Sequence, residues 1–301
     1  MEDQRRWEDL NVDCLVNVFG RVGMESLLLD VPLVCKSWYT ASLNPSWWQC
    51  LIFPEYEVGP DGFDLPTHDL WSSEDEIQTN IFGTFMNIFR CKYQIDERHF
   101  SITAFIEFVV NRSRGHATFL RLPGCYTFEA YLKYVADVPS PEALSSPIYL
   151  VHQRPRIIPR LIAKWKHLEE LSLGSSLDLK KTLSEISIHC KKFWRLHVAN
   201  AYIGNAEALA IVKLVPDIKH LSLRRADIGR DNLVMLLQGC KELVVLDVGD
   251  CRGFDEGDDE IYTLASHITN FRCEGSFSDC CTDCDDYYER NAVYLCAYES
   301  D

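Results

Sequence analysis

Thirteen cysteines, a C-x-x-C pair at Cys281 and Cys284, and the acid-rich octet GFDEGDDE at 253–260 are the residues whose types and spacing could do chemistry. The thiol pair could open a zinc site, but a structural zinc needs four ligands. Cys273, Cys280 and Cys296 offer no second paired spacing, so DCCTDCDDYYER (279–290) is expected to be solvated acidic tail without a metal. The octet departs from the D-x-[DN]-x-[DN]-G order of a calcium loop. It is expected to lead into a helix, whose positive dipole end suits carboxylates. No G-x-S-x-G, P-loop or H-E-x-x-H pattern occurs. The chemistry to expect is recognition rather than catalysis, with no cofactor.

The bulk properties narrow the classes. A chain of 301 residues with 47% hydrophobic and 25% charged side chains has ordinary globular composition. The cysteines are odd in number, scattered and preceded by no secretory pattern, so they are expected as reduced thiols. No run approaches the roughly 20 apolar residues of a membrane span, and the start MEDQRRWEDL lacks a signal-peptide core. A cytoplasmic or nuclear location is expected. The net charge of −15 argues against sequence-independent nucleic-acid binding, which needs clustered Lys and Arg.

The elements that must position any recognition surface repeat. LEELSL from Leu168, FWRLHV from Phe193, IKHLSL from Ile218, LVVLDV from Leu243 and ITNFRC from Ile268 start 25 residues apart. Apolar residues recur at offsets 0, 3 and 5, the leucine-rich-repeat pattern. Helical spacing follows each strand: Leu183, Ile186 and Cys190; Ala208, Ile211 and Val215; Leu233, Leu236 and Cys240; then Ile261 and Ala265. Small residues, Ser176, Ala201, Ala226 and Cys251, mark the turns. Cys190, Cys240 and Cys251 are expected as packing residues. Weaker repeats begin at Ala117 and Ala143, and SITAFIEFVV (101–110) should be the helix of an N-terminal repeat. One unit cannot bury its own apolar face, so the units must stack.

Side chains alternate along a strand, so residues between the buried leucines should line one open face. Glu170, Arg195, His220, Val245 and Asn270 form one column, and Ser172, His197, Ser222, Asp247 and Arg272 the next. Gly174, Ala199, Arg224, Gly249 and Glu274 form a third. Arg195, His197, His220, Arg224, Asp247 and Arg272 are the candidate substrate contacts. The basic members among them would favour an acidic or phosphorylated segment.

Upstream, VPLVCKSWYTASLNPSWW (31–48) carries three tryptophans and a tyrosine. Before it, two adjacent apolar stripes occupy one helix, Val12–Val16–Phe19 and Leu15–Val18–Val22. A short LLLD turn should follow, then a helix started by Pro32 with Val34, Cys35 and Trp38 on one face. Three short helices in about 45 residues are marginal alone, so the spare stripe needs another surface, either the repeats or a partner.

The stretch WEDLNVDCLVNVFGRVGMESLLLDVPLVCKSWYTASLNPSWW resembles an F-box, with Asn11 where that motif usually has proline. Together with the cysteine-bearing repeats, it makes the chain similar to plant F-box/leucine-rich-repeat proteins over residues 6–275. The resemblance implies an α/β fold: a three-helix F-box followed by a leucine-rich-repeat horseshoe of about six to seven units. The implied segments are an F-box at 6–51, an acidic linker at 52–92, repeats at 93–275 and an acidic tail at 276–301. It implies a substrate receptor of a Skp–cullin–F-box ubiquitin ligase. Leu10, Leu15, Val18, Phe19, Val34, Cys35, Trp38 and Trp48 would meet a Skp-type adaptor, while the repeats hold the protein to be ubiquitylated. A scaffold without degradation and, less favoured, a small-molecule-sensing receptor remain as rivals.

Overall fold

A computed structural model describes residues 10–53, 81–122, 141–146 and 157–278. The chain is α/β with parallel strands and divides into two compact units, Met1–His197 and Val198–Asp301. The C-x-x-C pair, the acids of 55–78 and most of the tail lie outside the described residues. Among the described residues no helix is long and apolar enough to cross a membrane.

The first unit opens with α1 (Val12–Phe19), α2 (Met24–Leu29), α3 (Val31–Val34) and α4 (Lys36–Ser42). Asn11 starts α1 by accepting the Asp13 N–H on its side chain, so the residue replacing proline serves as an N-cap. The LLLD stretch is a helix rather than a turn, because Met24, Leu27, Leu28 and Leu29 are all buried. Cys35 is extended (φ −162, ψ 171) and separates α3 from α4. Val34 and Trp38 therefore belong to different helices instead of one face.

The strands begin earlier than the sequence pattern indicates. β1 (Cys50–Ile52) pairs in parallel with β2 (Phe119–Arg121), joining the helical segment directly to the sheet. β2 pairs with β3 (Ala143–Ser146), and β3 with β4 (Glu170–Leu173); β5 (Arg195–Val198) is next in order. Residues expected to be linker include α5 (Ile81–Lys92), whose Phe85 and Phe89 are buried and stack edge-on against Phe105. Phe105 lies on α6 (Ile102–Arg112), the helix expected from SITAFIEFVV. Lys92 Nζ donates to Leu29 O and Tyr93 OH to Leu28 O, capping the C-terminus of α2. Apolar phenylalanines at helical spacing outweighed the low charge balance upstream of them. Two further helices among the described residues of this unit are α7 (Ile157–Ile162) and α8 (Leu179–His189).

In the second unit β6 (Tyr202–Ile203), α9 (Asn205–Leu214), β7 (His220–Ser222), β8 (Asp227–Ile228), α10 (Arg230–Gly239), β9 (Val245–Asp247), α11 (Asp259–Ala265) and β10 (Asn270–Arg272) follow in order. β7 pairs with β9 and β9 with β10, both in parallel. Leu221 faces Leu246 and Leu246 faces Phe271, so the register shift equals the 25-residue period. A second ladder, β6 with β8, follows the turns.

The turns themselves are periodic. Asn200, Arg225, Asp250 and Gly275 all have positive φ, between 53° and 77°. One position in each repeat must reverse the chain through the left-handed region, which favours Gly, Asn and Asp. Arg225 is the residue of the four that pays a steric penalty without a matching side chain.

Candidate recognition surfaces

The N-terminal helices sort the predicted adaptor contacts by burial. Leu15, Phe19 and Trp48 are in the interior and cannot meet a partner. Phe19 lies edge-on to Trp38 at 5.1 Å and to Trp47 at 5.3 Å, while Trp48 Nε1 donates to Ser42 O at 2.9 Å. The aromatic crowding thus closes this small core from within, and burying each ring here contributes on the order of 2–3 kcal/mol. Leu10, Cys35 and Trp38 are half-buried. Val18 is 41% exposed and Val34 51%, and they are accompanied by Leu33 (51%) and Tyr39 (46%), which the sequence reading missed. The interior row on α1 is Leu15–Phe19, one residue from each apolar stripe. The pattern of spacing alone left open which row turns inward.

The repeat strands obey the expected alternation, with Leu171, Leu173, Leu196, Leu221, Leu223 and Leu246 buried and their neighbours open. The candidate substrate residues fall in both units: Arg195 and His197 in the first, His220, Arg224, Asp247 and Arg272 in the second. Arg195 and Arg224 do not stand as free cations. Arg195 NH1 donates to Glu170 Oε2 at 3.3 Å. Arg224 places Nε and NH2 on Asp250 Oδ2 at 3.0 and 2.7 Å. That hydrogen bond, with the nearby charges of Asp250, Asp247 and Glu274, raises the Arg224 pKa above its ordinary value. Asp250 was missed because it sits in the left-handed turn, outside the three strand columns. Ser222, Asp247 and Arg272 lie side by side at one register position of β7, β9 and β10. Asp247 Oδ1 also accepts the Gly249 N–H at 3.1 Å.

The acidic octet is the entry to α11. Asp258 caps the helix by accepting from Glu260 N and Ile261 N. Arg230 reaches it from α10 at 2.6 Å, and this hydrogen bond holds the Asp258 carboxyl below its usual range. Among the described residues no group of His, Cys, Asp and Glu is placed to hold a metal. Burial pushes the Cys190 and Cys240 thiols up to about 11 and Cys251 to about 12, so they stay protonated packing groups. The Cys251 Sγ donates to Leu223 O at 3.1 Å and the Cys190 Sγ to Trp165 O at 3.3 Å.

Comparison with known proteins puts this arrangement in context. No family model matches the chain. An F-box/LRR-repeat protein of Arabidopsis thaliana is 27% identical over 251 residues, 81% of this chain and 72% of the relative. F-box protein SKIP1 of the same plant is 24% identical over 83% of this chain and 80% of its own length. F-box protein FBW2, also from Arabidopsis thaliana, is 23% identical and covers 97% of this chain and 84% of its own length. The chain is homologous to plant F-box proteins, an F-box/LRR-repeat protein among them.

Proposed function

We propose that the chain is a non-catalytic substrate-recognition subunit of a Skp–cullin–F-box ubiquitin ligase, acting in the cytoplasm or nucleus. Helices α1–α4 are its F-box and bind a Skp-type adaptor, through which the cullin–RING ligase is joined. The strand–turn–helix repeats form a leucine-rich-repeat horseshoe that holds the protein to be ubiquitylated. The observation that carries this reading is the exposed set Val18, Leu33, Val34 and Tyr39 on short helices of a chain related to F-box proteins. Contiguous exposed apolar side chains mark interaction surfaces. A receptor of this kind supplies proximity, raising the effective concentration of the acceptor lysine near the transferred ubiquitin.

The test is capture of a Skp-type adaptor by the full chain. Leu33→Asp with Val34→Asp puts two charges where apolar contact is expected and should weaken capture by about 3 kcal/mol, more than a hundredfold. Both side chains are half-exposed, so the melting curve should hold. Undiminished capture by a folded double variant sinks the F-box assignment. The half-life of captured proteins, measured with and without the chain, then separates a degradative receptor from a scaffold.

A further inference from the structure

Two adjoining concavities in the first unit share Leu43 and Arg114, the larger ≈ 740 Å³ and the smaller ≈ 230 Å³. Their floor is apolar, with Leu43, Phe108 and Trp47, and Phe108 is 38% exposed. Their rim is cationic: Lys36 from α4, Arg112 from the end of α6, and Arg114 just beyond it. Among the described residues no carboxylate lines either concavity. Arg112 lies over the Phe108 ring at 4.6 Å and the Trp48 ring at 6.0 Å, which fixes its guanidinium over the apolar floor. Lys36 and Arg114 make no ion pair among the described residues. Three arginines elsewhere do have carboxylate partners: Arg195 with Glu170, Arg224 with Asp250, and Arg230 with Asp258 and Glu260.

In a chain of net charge −15, three cations that have no carboxylate partner among the described residues thus surround one apolar groove. Arg114 also holds a left-handed backbone at φ 46, a conformation costly for a β-carbon-bearing residue. We infer that this groove is a docking surface for an acidic peptide segment of a partner protein. One aliphatic or aromatic side chain of that segment seats on Leu43 and Phe108, and its flanking carboxylates meet Lys36, Arg112 and Arg114. Charge complementarity selects the occupant: a neutral or basic segment gains nothing from the rim, and a small anion gains nothing from the floor. None of the exposed Val18, Leu33, Val34 and Tyr39 lines either concavity, and the inference stands whether or not the chain joins a ligase.

The probe is a fluorescein-labelled octapeptide of six glutamates around one leucine and one phenylalanine, titrated with the full chain and read by anisotropy. Saturable binding is expected that weakens as salt rises from 50 to 300 mM, with no binding of the glutamine counterpart. Lys36→Glu with Arg114→Glu should lower affinity by at least about thirtyfold. Lys164→Glu with Lys180→Glu, the same charge change at exposed positions away from the groove, should lower it less than about threefold. Circular dichroism confirms that both double variants fold. Equal losses in the two variants, or no peptide binding at low salt, overturn the inference. So does a tenfold gain in peptide affinity when the eight acids of 55–78 are changed to amides, which assigns the groove to the chain's own acidic stretch. Loss of Skp-type adaptor capture by the groove variant alone would give the surface to the adaptor, and overturn it too.

Discussion

Leu221→Ala tests the register on which every repeat contact depends. Leu221 is fully buried on β7 and faces Leu246 across a parallel pair. Its truncation removes buried methyl groups from a layer whose neighbours are held by their own strands and relax little, so the cost should be about 3 kcal/mol. The second unit spans Val198–Asp301, and for a domain of that size about 1 kcal/mol moves the melting temperature by roughly 4–8 °C. The transition of that unit should fall by about 12–24 °C in calorimetry. Ser222→Ala, one residue along on the open side, should change it by no more than about 0.5 kcal/mol. Ser222→Asp is a different perturbation, because Ser222 faces Asp247 in register. Like charges opposed across strands cost roughly 0.2–1 kcal/mol, and added salt should erase that cost. Equal losses from Leu221→Ala and Ser222→Ala would refute the assigned faces. A salt-independent loss from Ser222→Asp would refute the pairing with Asp247.

Four further outcomes follow from the geometry. Leu15→Ala, at a buried position, should lower thermal stability by about 3 kcal/mol, whereas adaptor capture at saturating concentration below the melting point should survive; a loss of capture with unchanged stability would return Leu15 to the interface. Brief iodoacetamide treatment at pH 8 should label the exposed Cys14, Cys50 and Cys91 and spare Cys190, Cys240 and Cys251, whose raised pKa leaves only about one thiolate in a thousand or fewer; peptide mass mapping reads this directly. Asp258→Asn keeps a capping side chain but removes the ion pair with Arg230. Because the folded carboxyl titrates below the ordinary 3.8, its contribution is present above that value and disappears as pH falls through the folded pKa, so the two melting curves should differ at pH 7 and converge as pH falls below 3.8 and on through the folded pKa. Arg225→Gly should raise stability, because it relieves the left-handed backbone, while Gly275→Ala should lower it, each by about 1 kcal/mol: a β-carbon at Gly275 would come 2.5 Å from Asp250 Oδ1.

The period of 25 made the strands from β4 onward legible, because one residue of slip would turn every leucine to the open face. The helical triads were legible for the same reason, down to Cys190 and Cys240 taking the place of Val215. What escaped was set by tertiary context. β1 consists of Cys50, Leu51 and Ile52, too short to show alternation, and is a strand because β2 offers its edge. α5 was hidden by the acidic residues before it, although Phe85 and Phe89 at i, i+4 were a usable signal. The inward row of α1 depended on where Trp38 and Trp47 end up, which spacing along α1 does not encode. Asp250 escaped because a strand column contains only strand residues, and the turn lies beyond it.

That missed carboxylate changes what the open strand face can do. Two of its three arginines pair with an acid about one period away, Arg195 with Glu170 and Arg224 with Asp250, so these pairs link one repeat to the next. Exposed pairs of this kind add only about 0–1 kcal/mol to stability, but they set a threshold for ligands. An anion approaching Arg224 must displace a carboxylate already receiving two N–H donors and tethered within the same unit. A monoanionic side chain offers Arg224 little that Asp250 does not, and it also meets Asp247 and Glu274, whose charges already act on the guanidinium. Selectivity on these strands is therefore expected from shape and apolar contact, together with acceptance of basic residues by Asp247, Asp250 and Glu274. Attraction of acidic segments is left to cations that have no carboxylate partner among the described residues, and of these Lys36, Arg112 and Arg114 are gathered around one groove.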